Sequence, residues 1–125
     1  FTEISSADQR IILVIDDDAR NIFALTAVLQ AKGFACLSAS DASQGMAMLH
    51  EHQNIGIILL DMMMPGIDGY EALAQFKQQH NLPVIAVTAQ AMTGDREKCL
   101  AAGADDYVPK PINVDLLLQV VKRHT

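Results

Sequence analysis

Residues 55–60 (I-G-I-I-L-L) form an unbroken apolar run that ends on a carboxylate, Asp61, and Pro65-Gly66 breaks the chain four residues later. A strand this apolar is buried on both faces. Ligands of open α/β sheets bind at the carboxyl ends of their strands. Asp61 is therefore placed either for chemistry or, equally well on this stretch alone, for capping the turn that follows. A second apolar run, residues 11–15 (I-I-L-V-I), also ends on acids, Asp16-Asp17-Asp18. A third, residues 84–87, ends on Thr88, and a short fourth run leads to Lys110. Gathered in one crevice, Asp16, Asp17 and Asp61 would repel one another by up to about 4 kcal/mol per close pair at an effective dielectric near 20. Such a cluster needs a cation within it, or protons on some of its members. An all-oxygen donor set suits Mg²⁺ or Mn²⁺, and no His or Cys stands at these strand ends to recruit zinc. A divalent cation beside a lysine also neutralises the equatorial oxygens of a phosphoryl group. The chemistry indicated is phosphoryl transfer with a carboxylate as nucleophile.

The elements between the apolar runs decide whether these residues can meet. Residues 19–32 read as a helix stopped by Gly33, with Ile22, Leu25, Val28 and Leu29 on one face and Phe23 well away from it. A short outer strand is expected over 34–39. A helix over 42–52, capped by Asp41, follows and should bury Ala42, Met46 and Leu49. Beyond Asp61, Asp68-Gly69 starts a helix over 69–79 that turns Leu73 and Phe76 inward. The segment 92–102 offers only Cys99, Leu100 and alanines as an apolar face, so it should be held loosely. A strand over 106–108 and a helix over 114–123, capped by Asn113, complete five β-α units. Alternating strands and helices imply a parallel sheet with helices on both faces and right-handed crossovers. The expected fold is α/β, a flavodoxin-like (βα)5 doubly wound sheet of order 2-1-3-4-5, with its switch point between strands one and three. Those are the two strands that end in acids.

With 125 residues the chain is one domain, and half of its residues are hydrophobic. The net charge of −6 argues against a nucleic-acid-binding surface, which needs clustered Lys and Arg. Cys36 and Cys99 form no metal pattern, and reduced thiols in a cytosolic setting are expected. No apolar run approaches the roughly 20 residues that span a bilayer, and no signal peptide is visible. The expected place is the cytoplasm, whether or not the parent protein is anchored in a membrane. Residues 1–10 have the composition of a linker, the folded domain is expected over 11–124, and the first residue is Phe1, as in a domain of a longer polypeptide.

Asp16-Asp17 after strand one, Asp61 within D-M-M-M-P-G-I-D-G, Thr88-Ala89 after strand four and Lys110-Pro111 after strand five make the chain resemble a response-regulator receiver domain of two-component signalling. The resemblance covers residues 11–124 and is most like the receivers of hybrid sensor histidine kinases. It implies that Asp61 takes a phosphoryl group from a phosphohistidine on a histidine kinase or histidine phosphotransfer domain. It also implies that Asp17, Asp61 and the backbone carbonyl of Met63 bind Mg²⁺, with Asp16 acting mainly through water. Lys110 would pair with Asp61 and then with the phosphate, across a cis Lys110–Pro111 bond. Thr88 would hydrogen-bond a phosphate oxygen, and Tyr107 would be the aromatic switch whose ring follows Thr88. Such a domain catalyses its own phosphorylation and dephosphorylation, with no turnover of a separate small-molecule substrate and no contact with nucleic acid or membrane. Phe23, with Ile22 beside it, is a candidate anchor for the phosphate-donating partner; the alternative folds the ring back over the core edge. Met63 and Gln90, two residues beyond Asp61 and Thr88, would flank the approach of a hydrolytic water.

The remaining polar residues read as structure. Asp18 is expected as a solvated helix-start residue, Asp105-Asp106 as a surface turn, and Cys99 as core. Met62-Met63-Met64 reads as backbone and packing, and His50, His52, His80 and His124 are not expected to be ligands. Two rivals remain. A phosphohydrolase of the haloacid-dehalogenase type would use Asp16 and Asp18 as nucleophile and acid, with Asp105-Asp106 on Mg²⁺, but it leaves Asp61 and Thr88 without a role. A pseudo-receiver that only binds partners would lack the acids or the lysine.

Overall fold

A computed structural model of the chain describes residues 11–52, 54–62, 69–79, 82–88, 95–109 and 112–124. The strands are β1 (Ile11–Ile15), β2 (Ala35–Ala39), β3 (Ile55–Asp61), β4 (Val84–Thr88) and β5 (Asp106–Pro109). The helices between and after them are α1 (Ala19–Ala31), α2 (Ala42–Glu51), α3 (Gly69–Gln79), α4 (Asp95–Ala101) and α5 (Val114–His124). All strand pairs are parallel and the order is β2-β1-β3-β4-β5, as the alternation of elements predicts.

Strand alternation divides the core into two layers. Leu13, Ile15, Ile58, Leu60, Val84 and Ala86 face one side, where Leu49 of α2, Leu73 and Phe76 of α3, and Cys99 of α4 meet them. Ile12, Val14, Ile57, Leu59, Ile85 and Val87 face the other, against Leu25 and Leu29 of α1 and Leu117, Val120 and Val121 of α5. Every residue of β3 is buried, which is why its sequence is apolar without alternation.

Local chemistry sets the helix ends. Asp18 caps α1 by accepting from the Arg20 N–H, and Gly33 at φ 94° ends it in the left-handed region. Asp41 caps α2 through the Gln44 N–H at 2.7 Å, and Asn113 caps α5 through the Leu116 N–H at 3.1 Å. Two expectations need correction. Phe34 precedes β2 as a half-buried prop against the α1/α5 layer. In α2 the buried positions are Gly45 and Leu49, while Ala42 and Met46 are only half-buried. A Cβ on Gly45 would stand 2.5 Å from Ile15 Cδ1, so any side chain there would need the Ile15 tip to move aside. Of the helix expected over 92–102, α4 is described from Asp95; residues 92–94 lie outside the described residues, as does the linker expected over 1–10. Among the described side chains of α4, Cys99 alone is fully buried.

Candidate functional site

Strand register brings the acids together. Ile15 pairs with Leu60, so Asp16 and Asp61, each one residue further, emerge side by side at the carboxyl edge of neighbouring strands. Both keep the parity of Ile12, Val14, Ile57 and Leu59, which places them on the α1/α5 side of the sheet. Backbone bonds continue past the strand ends and hold them there. The Asp16 N–H donates to the Ala39 carbonyl at 3.1 Å, and the Met62 N–H donates to the Val87 carbonyl at 2.8 Å.

The turn after β1 completes the cluster. The Asp18 N–H donates to Asp16 Oδ1 at 2.9 Å, which turns the chain and leaves Asp17 exposed at the mouth. Asp16 is 2% exposed and Asp61 4%, yet one carboxylate oxygen from each of Asp16, Asp17 and Asp61 can be chosen so that all three lie within 4.8 Å of one another. Buried carboxylates at that spacing are stable with a cation among them. The donor set is oxygen only, and exposed Asp17 leaves room for water, so the residues present fit a hard divalent ion such as Mg²⁺ or Mn²⁺.

Thr88, 4% exposed, ends β4 opposite Pro109, the residue that precedes Lys110. Tyr107 is half-buried and packs against the α2/α3/α4 layer. Lys110, Met63, Gln90 and the Lys110–Pro111 bond lie outside the described residues.

Asp105 and Asp106 are not a loose surface turn. Asp105 Oδ2 accepts from the Val84 N–H at 2.9 Å and from Lys77 Nζ at 2.8 Å, and the same ammonium donates to the Leu82 carbonyl at 3.0 Å. This ties the end of α3 to the start of β4. Asp106 Oδ2 lies 2.8 Å from Arg123 Nη1 and 3.1 Å from His124 Nε2, while Oδ1 accepts from the Tyr107 N–H. Burial pushes the Asp106 carboxyl up, but the Tyr107 N–H, the His124 ring and the Arg123 guanidinium outweigh it and hold the group below its ordinary value. Both ties sit at the amino edge of the sheet, since Asp106 pairs with Ile85 near the start of β4. A dehalogenase-type site needs Asp105-Asp106 beside Asp16 and Asp18, and the sheet separates the two pairs. Asp18 spends its carboxylate on the α1 cap and on Arg20, which hold its pKa below the ordinary value.

These ties have no local signal in the sequence, because Lys77 and Asp105 are 28 residues apart and Asp106 and Arg123 are 17 apart. Phe23 does not fold back over the core: it is 75% exposed. Ile22 is half-buried against the α1/α5 layer. Beside them a groove of about 280 Å³ runs between α1 and α5, lined by Asn21, Ala24, Leu25, Val28, Ile112 and Val114 among others. Burial pushes the Cys36 thiol up to about 11, which makes it inert packing at neutral pH.

The sequence profile of the response regulator receiver domain family matches residues 12–122. The chain is 40% identical over 119 residues to Hybrid signal transduction histidine kinase I of Dictyostelium discoideum, a match covering 88% of this chain and 7% of that protein. It is 41% identical over 102 residues to Transcriptional regulatory protein CpxR of Klebsiella pneumoniae, covering 82% of this chain and 43% of that one. The chain therefore spans less than half the length of either curated relative. Among solved structures, the receiver domain of Francisella response regulator 1452 superposes with a TM-score of 0.84 at 30% identity, covering 92% of this chain and 95% of that one. Register, acidic edge and family profile lead to one conclusion: the chain belongs to the response regulator receiver domain family, the phosphoacceptor module of two-component signalling.

Proposed function

We propose that Asp61 is the phosphoacceptor and that a phosphohistidine on a histidine kinase or histidine phosphotransfer domain is the donor. A carboxylate oxygen of Asp61 attacks phosphorus in line with the P–N bond; that bond breaks, the electron pair leaves with the imidazole nitrogen, and an acyl phosphate forms on Asp61. Asp16, Asp17 and Asp61, with the backbone carbonyl of Met63, would hold Mg²⁺, which when bound supplies positive charge against the phosphoryl oxygens. The Lys110 ammonium pairs with Asp61 before transfer and with the phosphate after it, and the Thr88 hydroxyl donates to a phosphate oxygen. Tyr107 then follows Thr88.

The observation that carries this reading is the approach of three carboxylates within 4.8 Å at the carboxyl edge of β1 and β3. Exposed Phe23, half-buried Ile22 and the adjacent groove form the face offered to the donor, close to Asp17 along α1. Similarity to a hybrid kinase supports a parent of that kind, and similarity to CpxR makes a stand-alone regulator the competing parent. No helix among the described residues is long and apolar enough to cross a membrane.

Incubation with acetyl phosphate and Mg²⁺, followed by intact-mass measurement, tests the site. One phosphoryl adduct is expected on the wild type and none on Asp61→Ala. An adduct of equal yield on Asp61→Ala would refute the assignment.

A further inference from the structure

Met62 is gripped from two sides. Its N–H donates to the Val87 carbonyl at 2.8 Å, which fixes it to β4. From the other side Gly69, the first residue of α3, lies so close that a Cβ there would stand 2.8 Å from the Met62 carbonyl oxygen and 2.9 Å from its Cα. Those neighbours are backbone atoms, which cannot swing away as the tip of a side chain can. Gly69 is itself buried, and α3 is anchored behind it by Leu73 and Phe76, both fully buried, so the helix has little room to recede. Met62 follows Asp61 directly, and Val87 directly precedes Thr88. Any displacement of Met62 is therefore passed to both.

We propose that Gly69 is a positioning residue for phosphoryl transfer: its missing side chain lets α3 press on the Met62 backbone and so sets the placement of Asp61 relative to Thr88 and to the acids of β1. The inference rests on Asp61 being the phosphoacceptor. Placement errors near 1 Å at a reacting centre cost on the order of a hundredfold in rate, and a Cβ 2.8 Å from the Met62 carbonyl must be relieved by roughly half an ångström to reach ordinary contact.

Gly69→Ala tests it, with Gly33→Ala as the control. Gly33 sits at φ +94° with nothing within 4 Å of a built Cβ, so alanine there strains the backbone and lowers the melting temperature without touching the acidic edge. Two quantities are measured for each protein: the rate of acetyl-phosphate labelling by intact mass, and Mn²⁺ affinity from the loss of the free-ion electron paramagnetic resonance signal. Gly69→Ala is expected to label at least tenfold more slowly and to bind Mn²⁺ several-fold more weakly, while Gly33→Ala stays within twofold of wild type on both. A Gly69→Ala protein within twofold of wild type on both measures overturns the proposal. So does a Gly33→Ala protein that loses both in step with its melting temperature, since the effect would then be stability alone. Should Gly69→Ala fail to fold in buffer, the same measurements are made in trimethylamine N-oxide, which favours the compact state. Absence of labelling in the wild type itself would instead refute the assignment of Asp61.

Discussion

Tyr107 pairs with Ala86 across β4 and β5, which places its side chain on the same face of the sheet as Thr88, two residues further along the strand. Both belong to the face packed by α3 and α4, and Tyr107 rests against the core of that layer. The separation along the strand is roughly 7 Å, short enough for a hydroxyl that moves toward a phosphate to open or close space for a neighbouring ring. Thr88→Ala is therefore expected to accept phosphate several-fold more slowly and to leave the ring environment of Tyr107 unchanged on phosphorylation. Ring-proton NMR of Tyr107 in the two proteins checks this; an equal shift in both would separate the two residues.

The Asp106 tie predicts a pH dependence of stability. Its carboxyl is held below the ordinary value of 3.8 in the folded protein, so its contribution is complete above that value and is lost as pH falls through the lower folded one. Asp106→Asn should cost about 1 kcal/mol at neutral pH and should flatten the acid-side loss. Urea unfolding of both proteins at neutral pH and in the acid range gives the two slopes. Equal slopes below the ordinary carboxyl value would show that Arg123 and His124 do not stabilise the ionised form.

The acidic edge predicts an inverse relation between metal binding and metal-free stability. Without a cation, Asp61 sits buried beside Asp16 with a third carboxylate at the mouth. Asp61→Asn removes one charge from that cluster and should raise the metal-free melting temperature. Saturating Mg²⁺ should stabilise the wild type by RT ln(1 + [L]/Kd), about 2.7 kcal/mol at a hundred times Kd, and the variant by much less. A metal-free Asp61→Asn protein that melts below the wild type contradicts the repulsion.

The periodicity of the sequence carries the fold and the acidic edge because both are written locally. β3 is apolar up to its last residue, which is an acid, and Gly33 and Asp41 stop and start helices where they stand. What escaped the sequence depends on partners far along the chain. Asp105 looks like a turn residue until Lys77 and the Val84 N–H are brought to it, and Asp106 until α5 returns Arg123 and His124. Gly45 counts as polar spacing on a helical wheel, yet it is buried against the side chains of Ile15 and Phe76. Phe23 could be assigned to core or surface only once α1 had docked.

Met63, two residues beyond Asp61, carries no donor or acceptor able to orient an attacking water. The acyl phosphate on Asp61 is expected to outlive that of a Met63→Asn variant, whose amide can hold such a water. The decay of the intact-mass adduct after removal of acetyl phosphate measures both lifetimes. A Met63→Asn adduct that decays no faster than wild type counts against a water-directing role for this position.

Phe23 offers the sharpest separation between folding and recognition. At 75% exposed it contributes little burial, and alanine is the better helix former by about 0.5 kcal/mol, so Phe23→Ala should melt at or slightly above the wild-type temperature. An aromatic anchor that fills a partner's pocket is commonly worth about 2 kcal/mol or more, close to thirtyfold in affinity. Phosphotransfer from a phosphorylated kinase or phosphotransfer domain should therefore need a far higher donor concentration to reach half its maximal rate, with the maximal rate itself less affected. Should the half-saturating concentration stay where it is, the donor docks elsewhere than on the exposed face of α1, and the groove between α1 and α5 loses its role as well.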